Sequence, residues 1–402
     1  MSKRKFVLLF TIFVDATGYA MIFPFISYYA LSFNVGAFAI GLLMNIFALM
    51  QFISSPIMGR LSDKYGRKNL LMLSILVSGF SFVLFATAIS YWMLFFSRIL
   101  SGAATEISIA QAYMADITSN KKRTSGLGKV RAAFSGGVII GPALGGFLSI
   151  FGYWAPGFLA TILTLINLVF VYFFLPETVE KNKFNGNRDH PIQSRKDGFL
   201  INLKKAFQKP LLPFLLIILF IMNLAFSAIP VLIPLITKKF FNFDNFSLAW
   251  VFVFIGALQF VIQGFLMDFL SEKVGEGRLI IFGLLFILLG IVLIPILPIV
   301  TFFFILIGFL STGSGFIRTS IPGVISKISK EDEQGGFMGL AQSIASLALI
   351  PGPLIAGFFY EFLSLYSPFI ISAVIISFGL ILSIKVYVEL NKDNICVKRK
   401  NI

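Results

Sequence analysis

Two residue types that build much of protein chemistry are nearly missing from this chain. Its 402 residues include one cysteine, Cys396, and one histidine, His190. A lone cysteine excludes an intramolecular disulfide and a cysteine-based metal site. A lone histidine in a polar loop cannot assemble a usual ligand set, and it reads as an exposed residue with no special task. No metal and no cofactor is therefore expected. Charge is also scarce: 13% of residues are charged against 57% hydrophobic, and a soluble domain would need far more polar surface. The short alternation that marks membrane barrel strands is absent. No nucleophile–base pair or phosphate-binding loop is present, so an enzyme is not expected, and no appended soluble domain points to a receptor.

What the chain does have is apolar windows of at least 18 residues along nearly its whole length, each enough to cross the hydrocarbon as a helix. The predicted helices are 6–31, 36–58, 69–89, 92–117, 126–150, 153–175, 211–237, 245–269, 278–297, 300–325, 336–360 and 366–390. The first carries Asp15 and runs on past Pro24, too long and too polar for a cleaved signal peptide. The expected class is an all-α integral membrane protein with twelve transmembrane helices.

Thirty-three basic against 18 acidic residues give a net charge of +15, and position explains it. The turns at 32–35, 90–91, 151–152, 298–299 and 361–365 hold no Lys or Arg, whereas the opposite set holds Lys3, Arg4, Lys5, Arg60, Lys64, Arg67, Lys68, Lys121, Lys122, Arg123, Lys273, Arg278, Lys327, Lys330 and the tail Lys398-Arg399-Lys400. Only Lys238 and Lys239 break this alternation. The positive-inside rule then places both termini in the cytoplasm of a cell-membrane protein.

Residues 177–210 form the one long polar stretch, read as a cytoplasmic linker between bundles at 1–176 and 211–402. Within it, Phe199 to Phe207 has the pattern of a short amphipathic surface helix. The two bundles look like repeats. Arg60-Leu61-Ser62-Asp63-Lys64-Tyr65-Gly66-Arg67 lines up with Phe269-Leu270-Ser271-Glu272-Lys273-Val274-Gly275-Glu276. Gly141-Pro142-Ala143-Leu144-Gly145-Gly146 lines up with Gly352-Pro353-Leu354-Ile355-Ala356-Gly357 at nearly the same offset. Two pseudo-symmetric six-helix bundles that rock about a central site can give alternating access.

Several polar residues stand out against this apolar background. Asp15 lies roughly 14 Å into its helix at 1.5 Å per residue, where an ionised carboxylate costs several kcal/mol unless paired, hydrated or protonated. A carboxyl that exchanges a proton with the two sides in turn can couple proton flow to rocking; the plainer reading is a polar contact between helices. Arg98, Gly102 and Thr105 share a face of the fourth helix, with Glu106 at its edge. Arg318 takes nearly the repeat-equivalent position to Glu106, and it either pairs with Glu106 or snorkels toward the cytoplasm. In the charged turn Gly59 to Lys68, Gly59 would permit close helix approach and Gly66 a tight turn. Gly137, Gly141 and Gly145, beside the Pro142 kink, read either as a packing face or as a bent contact between the two bundles. Among the many aromatic and amide side chains, Tyr19, Tyr113, Asn45, Asn223, Gln259 and Gln263 are candidates to line an adaptable cavity.

The chain resembles the major facilitator superfamily, specifically its twelve-helix drug/proton antiporters, which include bacterial tetracycline and multidrug exporters. The residues that carry the likeness are Asp15-Ala16-Thr17-Gly18 with Pro24, Ala48-Leu49-Met50-Gln51 leading to Pro56, the charged turn, Trp92-Met93-Leu94, Arg98-Ile99-Leu100-Ser101-Gly102, Ala115-Asp116, and Gly137 through Gly141-Pro142 to Gly145-Gly146. The resemblance implies that Asp63, Arg67 and Asp116 form a cytoplasmic charge cluster that gates the transporter, and that Arg98 is proton-linked. It supplies no counterpart for Glu106, which is left as a second proton site or an anchor for a cationic substrate.

The departures are informative too. A tetracycline exporter should offer carboxylates in the third and ninth helices and a histidine in the eighth, where this chain has Gly79-Phe80-Ser81-Phe82, Phe286-Ile287-Leu288 and Leu258-Gln259-Phe260. Metal-chelated tetracycline is therefore not the expected substrate. The leading expectation is proton-coupled efflux of small lipophilic or cationic compounds; the alternative is transport of a sugar or other small metabolite. Nothing requires more than a monomer in the lipid bilayer.

Overall fold

The computed structural model describes residues 3–118, 123–178, 199–329 and 331–400. Lys121, Lys122, His190 and Lys330, and the linker from 179 to 198, lie outside the described residues. So do the side chains of Lys3, Arg123, Cys396 and the tail Lys398-Arg399-Lys400. Among the described residues, twelve helices are long and apolar enough to cross a membrane: α1 (Arg4–Leu31), α2 (Ala37–Tyr65), α3 (Arg67–Ala86), α4 (Tyr91–Asp116), α5 (Gly126–Phe151), α6 (Trp154–Phe174), α7 (Leu212–Phe241), α8 (Asn245–Leu266), α9 (Glu276–Leu293), α10 (Val300–Ile328), α11 (Gly336–Phe362) and α12 (Ser367–Leu390). Every expected span has its counterpart. The surface helix expected before α7 is also present, as Phe199–Phe207.

Large apolar side chains along the spans are exposed: Phe173 by 71%, Ile381 by 66% and Phe96 by 58%. In water such surface would drive aggregation; against lipid tails it costs nothing.

By contact the chain forms two units, one of 1–189 with Ile233–Val253, the other of His190–Leu232 with 254–402. In the first, α1 and α5 lie so close that no side chain fits between them. A Cβ on Gly137 would come within 2.7 Å of Ala16 Cβ, and one on Gly141 within 2.6 Å of Ala20 Cβ. One on Gly145 would strike the Met21 carbonyl. Gly137, Gly141 and Gly145 thus form a packing face laid on α1. Only Gly146 turns elsewhere, onto Ala249 of α8 within the same unit. The second unit repeats the device, since Gly352 of α11 packs on Ser227 and the Leu224 carbonyl of α7. This α1–α5 and α7–α11 correspondence is what duplication of a six-helix unit predicts.

The charged stretch is not the turn it was expected to be. Helix α2 continues through Gly59 and Asp63 to Tyr65, and α3 starts at Arg67, so Gly66 alone makes the turn, at φ +99°. Gly59 is not at a close approach either, because a Cβ there would meet nothing within 4 Å. Its carbonyl accepts hydrogen bonds from Ser62 Oγ at 2.8 Å and Arg67 Nη1 at 3.4 Å, which any residue would allow.

Between α7 and α8, Asp244 Oδ1 accepts from the Ser247 N–H at 2.9 Å, capping α8. The bonds from Ser247 hold the Asp244 carboxyl below the usual carboxylate range.

Gly141→Val is expected to destabilise by about 1–3 kcal/mol through overpacking of the α1–α5 seam, whereas Gly59→Ala should be neutral or slightly stabilising. Thermal unfolding of the purified variants in detergent compares the two; an unchanged midpoint for Gly141→Val would remove the seam as a determinant of stability.

Candidate functional site

Helix α4 is broken in the middle. Its first half, Tyr91–Ala103, ends at Ala104 (φ −78°, ψ 102°), and its second, Glu106–Asp116, starts after Thr105 (φ −113°, ψ 59°). An interruption in a span frees backbone groups that lipid cannot satisfy, so such breaks are tolerated where they line a cavity. Here the break leaves Thr105 Oγ1 buried without a hydrogen-bond partner. It also places Glu106 in the first turn of the second half, where unpaired N–H groups carry partial positive charge. The sequence pattern showed one continuous helix, with Glu106 merely at the edge of a face.

Glu106 is 3% exposed and accepts a 2.6 Å hydrogen bond from Ser78 Oγ of α3. It shares a cavity of about 100 Å³ with Asp15 and Tyr19 of α1, Phe47 and Gln51 of α2, Ser78 and Phe82 of α3, Ser101 and Thr105 of α4, and Phe134 of α5. Tyr19 stacks on Phe47 with ring centroids 4.9 Å apart. The structure therefore brings together the two intramembrane carboxyls of the first bundle and lines the space between aromatics with hydroxyl and amide groups. Among the described residues no group of three His, Cys, Asp or Glu side chains converges as a metal site.

Arg98 does not line this cavity. It is 1% exposed, its Nε donates to Ser97 Oγ at 3.4 Å, and its guanidinium lies 5.7 Å from the Phe85 ring centroid. Its Nη1 and Nη2 are buried with no hydrogen-bond partner. Among the described residues no carboxylate reaches ion-pair distance of it. Leaving such donors unpaired costs about 1–3 kcal/mol each, and more for a charged group.

Other candidates separate in the same way. Tyr113 is fully buried in the packing core with Ile12, Leu71 and Met114, and donates its hydroxyl to the Pro176 carbonyl at 2.6 Å; it is structural. Asn45 is buried, and Asn223 donates to the Leu219 carbonyl at 2.8 Å. In the second unit, Gln259 donates to Ser314 Oγ at 3.2 Å, and the exposed Arg318 lies 5.2 Å over the Phe226 ring.

The charge cluster at the α2–α3 junction is built around Arg67, whose side chain is 11% exposed. It pairs with Asp63 at 2.5 Å and with Asp116 of α4 at 3.1 Å, and its Nη1 donates to Ser62 Oγ at 2.6 Å. The expected triad is therefore assembled. Sequence reasoning missed its third acid. Glu177, just after α6, accepts from the Arg67 N–H at 2.9 Å and the Lys68 N–H at 3.1 Å, capping α3. A Cβ on Gly66 would run into that carboxylate, so Gly66 is required both for its positive φ and for the space it leaves. Thr178 closes the ring by donating from Oγ1 to Asp116 at 3.3 Å. The available signal was an acid three residues beyond the end of α6, but nothing in the pattern said which helix it would reach.

Two sets of six helices packed in the same way, a small polar cavity on a broken span and a charge cluster at one end define a multi-pass membrane transporter. The chain belongs to the Major Facilitator Superfamily, whose family model matches residues 8–310 and 258–395. It is 30% identical over 379 residues to multidrug resistance protein 2 of Bacillus subtilis, covering 93% of this chain and 92% of that one. It is 28% identical to the class B tetracycline resistance protein of Escherichia coli over 374 residues, covering 90% and 89%. In structure it is similar to a bacterial homologue of the human lysosomal transporter Spinster, solved inward-facing and unoccupied, with a TM-score of 0.73 over 98% of both chains. At 16% identity that likeness is one of fold.

Glu177→Ala should cost about 1 kcal/mol by uncapping α3, while Glu177→Gln, which keeps an acceptor oxygen, should cost less. Thermal unfolding of both variants checks this; equal midpoints for Glu177→Ala and the parent would show that the cap contributes nothing.

Proposed function

We propose that this chain is a proton-coupled exporter of small lipophilic cations, acting as a monomer in the cell membrane by alternating access. The observation that carries the reading is the cavity at the α4 break, where Asp15 and Glu106 face the same space and no basic side chain lines it. Two carboxyls among aromatic rings suit a cation, through charge and through the ring faces. A neutral sugar would instead call for many paired donors and acceptors.

At about 100 Å³ the cavity is smaller than the about 300–1,000 Å³ of sites that enclose drug-sized ligands. It is the size of an anchoring group, so the cationic head sits here and the apolar body lies outside. In this division of labour Asp15 exchanges the proton and Glu106, fixed by Ser78, holds the substrate's charge. Arg98, buried with two unpaired nitrogens, is poised to take an acceptor in another conformation, and the cost of leaving it unpaired biases the exchange between states. The Arg67 cluster ties α2, α3, α4 and the chain after α6 together at one end, so that these helices move as a body. The names of the relatives support drug efflux. The missing carboxylates in α3 and α9 and the missing histidine in α8 favour compounds other than chelated tetracycline. The basic residues at the α2–α3 and α8–α9 junctions support a cytoplasmic placing of that end and of both termini.

In proteoliposomes with an imposed pH gradient, Asp15→Asn should abolish dye-cation transport; undiminished flux would sink the coupling role. Glu106→Gln should raise KM for monovalent cations by roughly tenfold or more, the scale of one lost charge interaction of about 1.4 kcal/mol, with less effect on neutral substrates. A growth screen of an efflux-deficient host against dyes, antibiotics and sugars decides between the cation and sugar readings.

A further inference from the structure

The second unit holds a larger cavity that the transport reading does not use. About 770 Å³ opens among the start of α7, the Met267–Val274 helix after α8, the start of α9 and the ends of α10 and α12. Its level is set by the limits of the spans, since α7 begins at Leu212, α9 at Glu276, α10 ends at Ile328 and α12 at Leu390. That is where hydrocarbon gives way to lipid headgroups.

The wall carries four bases, Lys209, Lys273, Arg278 and Lys327, against two acids, Glu272 and Glu276. Two of the bases are already paired: Lys327 with Glu276 at 2.9 Å and Lys209 with Glu333 at 2.8 Å. The other two are not. Lys273 Nζ lies 4.3 Å from the Phe269 ring centroid, and Arg278 Nε donates to Tyr387 Oη at 3.2 Å. Among the described residues no carboxylate reaches ion-pair distance of either. Both are exposed beside the cavity.

The internal repeat shows what occupies the corresponding place in the first unit. There the N–H groups of Arg67 and Lys68, following Gly66, are held by the Glu177 carboxylate. At the repeat-equivalent Gly275, also at positive φ (+85°), no acidic side chain among the described residues accepts from the first turn of α9. A Cβ on Gly275 would meet nothing within 4 Å, so the space is open. The first unit caps this turn with its own carboxylate; in the second, Lys273 and Arg278 face the cavity with no carboxylate at ion-pair distance among the described residues.

We infer that this cavity binds a phosphate-bearing anion, the headgroup of an acidic phospholipid, with Lys273 and Arg278 on the phosphate. Basic pockets between membrane helices are suited to such headgroups, and Arg offers the forked donors that match phosphate oxygens. A free phosphate has the same chemistry. The lipid is favoured because the wall also presents Leu211, Val274, Ile328 and Leu390 at the membrane level, an apolar surface for the glycerol and upper chain.

The test is a thermal-shift titration of the full-length protein in detergent with phosphatidylglycerol, phosphatidylcholine or inorganic phosphate. Phosphatidylglycerol should stabilise saturably and phosphatidylcholine should not. The Lys273→Gln/Arg278→Gln double variant should raise the apparent Kd by roughly tenfold or more, since both basic charges near the acidic headgroup are lost. Lys273→Arg/Arg278→Lys, which keeps both charges, should bind close to wild type, separating lost charge from a damaged fold. Saturable stabilisation by inorganic phosphate that abolishes the lipid effect, and is itself lost in the neutral variant, would keep the anion site and assign it to free phosphate. Equal stabilisation by the two lipids, or an unchanged Kd in the neutral variant, overturns the proposal.

Discussion

The constraint on which this structure rests is the inability of hydrocarbon to hydrogen-bond. In that solvent every backbone group must find its partner inside the segment, which leaves the helix as the default for each span. Charge is correspondingly confined to span ends or to interior positions where another group compensates it. In the first unit the chain departs from this at the α4 break, at Asp15 and Glu106 beside it, and at Arg98 with two buried unpaired nitrogens; the second carries Arg318 inside α10. In a soluble protein such features could be ordinary surface chemistry. Here each is costly, and the meeting of two carboxyls at the α4 break marks where the protein does something other than span.

The duplication explains much of the rest. Glycine lets α5 lie directly on α1, and the same arrangement sets α11 on α7, because close approach of two backbones needs a missing side chain at the contact and little else. The polar ends of the repeats differ as well. At the α2–α3 junction a basic centre, Arg67, gathers Asp63, Asp116, Ser62 and the Gly59 carbonyl, while Glu177 caps the following helix. At the α8–α9 junction the centre is Glu276, paired outward to Lys327, and the neighbouring bases are left facing a cavity. The close glycine contacts are constrained by distance; the polar ends take different partners in the two halves.

The fold was legible because hydropathy acts locally: a window of apolar residues must be a span wherever the chain later takes it. Asp15 and Glu106 were legible for the same reason, since a carboxyl inside such a window is anomalous on its own. The α2–α3 charge cluster was legible through its likeness to a known motif, although its helical form was not, because Arg60 to Tyr65 is polar enough to pass for a turn. Tyr113 misled, since an aromatic hydroxyl in a span looks like a cavity residue until its hydrogen bond to the Pro176 carbonyl is seen. The glycine stripe was legible as a close contact, but its spacing does not identify the neighbour.

By itself the sequence determined twelve spans, the repeat, the alternation of basic ends and the presence of costly carboxyls, all consequences of transfer energies that each segment feels alone. Only the tertiary structure decided that α4 breaks before Glu106, that Glu106 and Asp15 share one small cavity from which Arg98 is kept apart, and that Glu177 returns to cap α3. It also decided which helix the glycines touch, and that Lys273 and Arg278 are left beside an open space. Those facts depend on which surfaces meet across long stretches of chain, and the pairing of distant side chains leaves no periodic trace in the order of the residues.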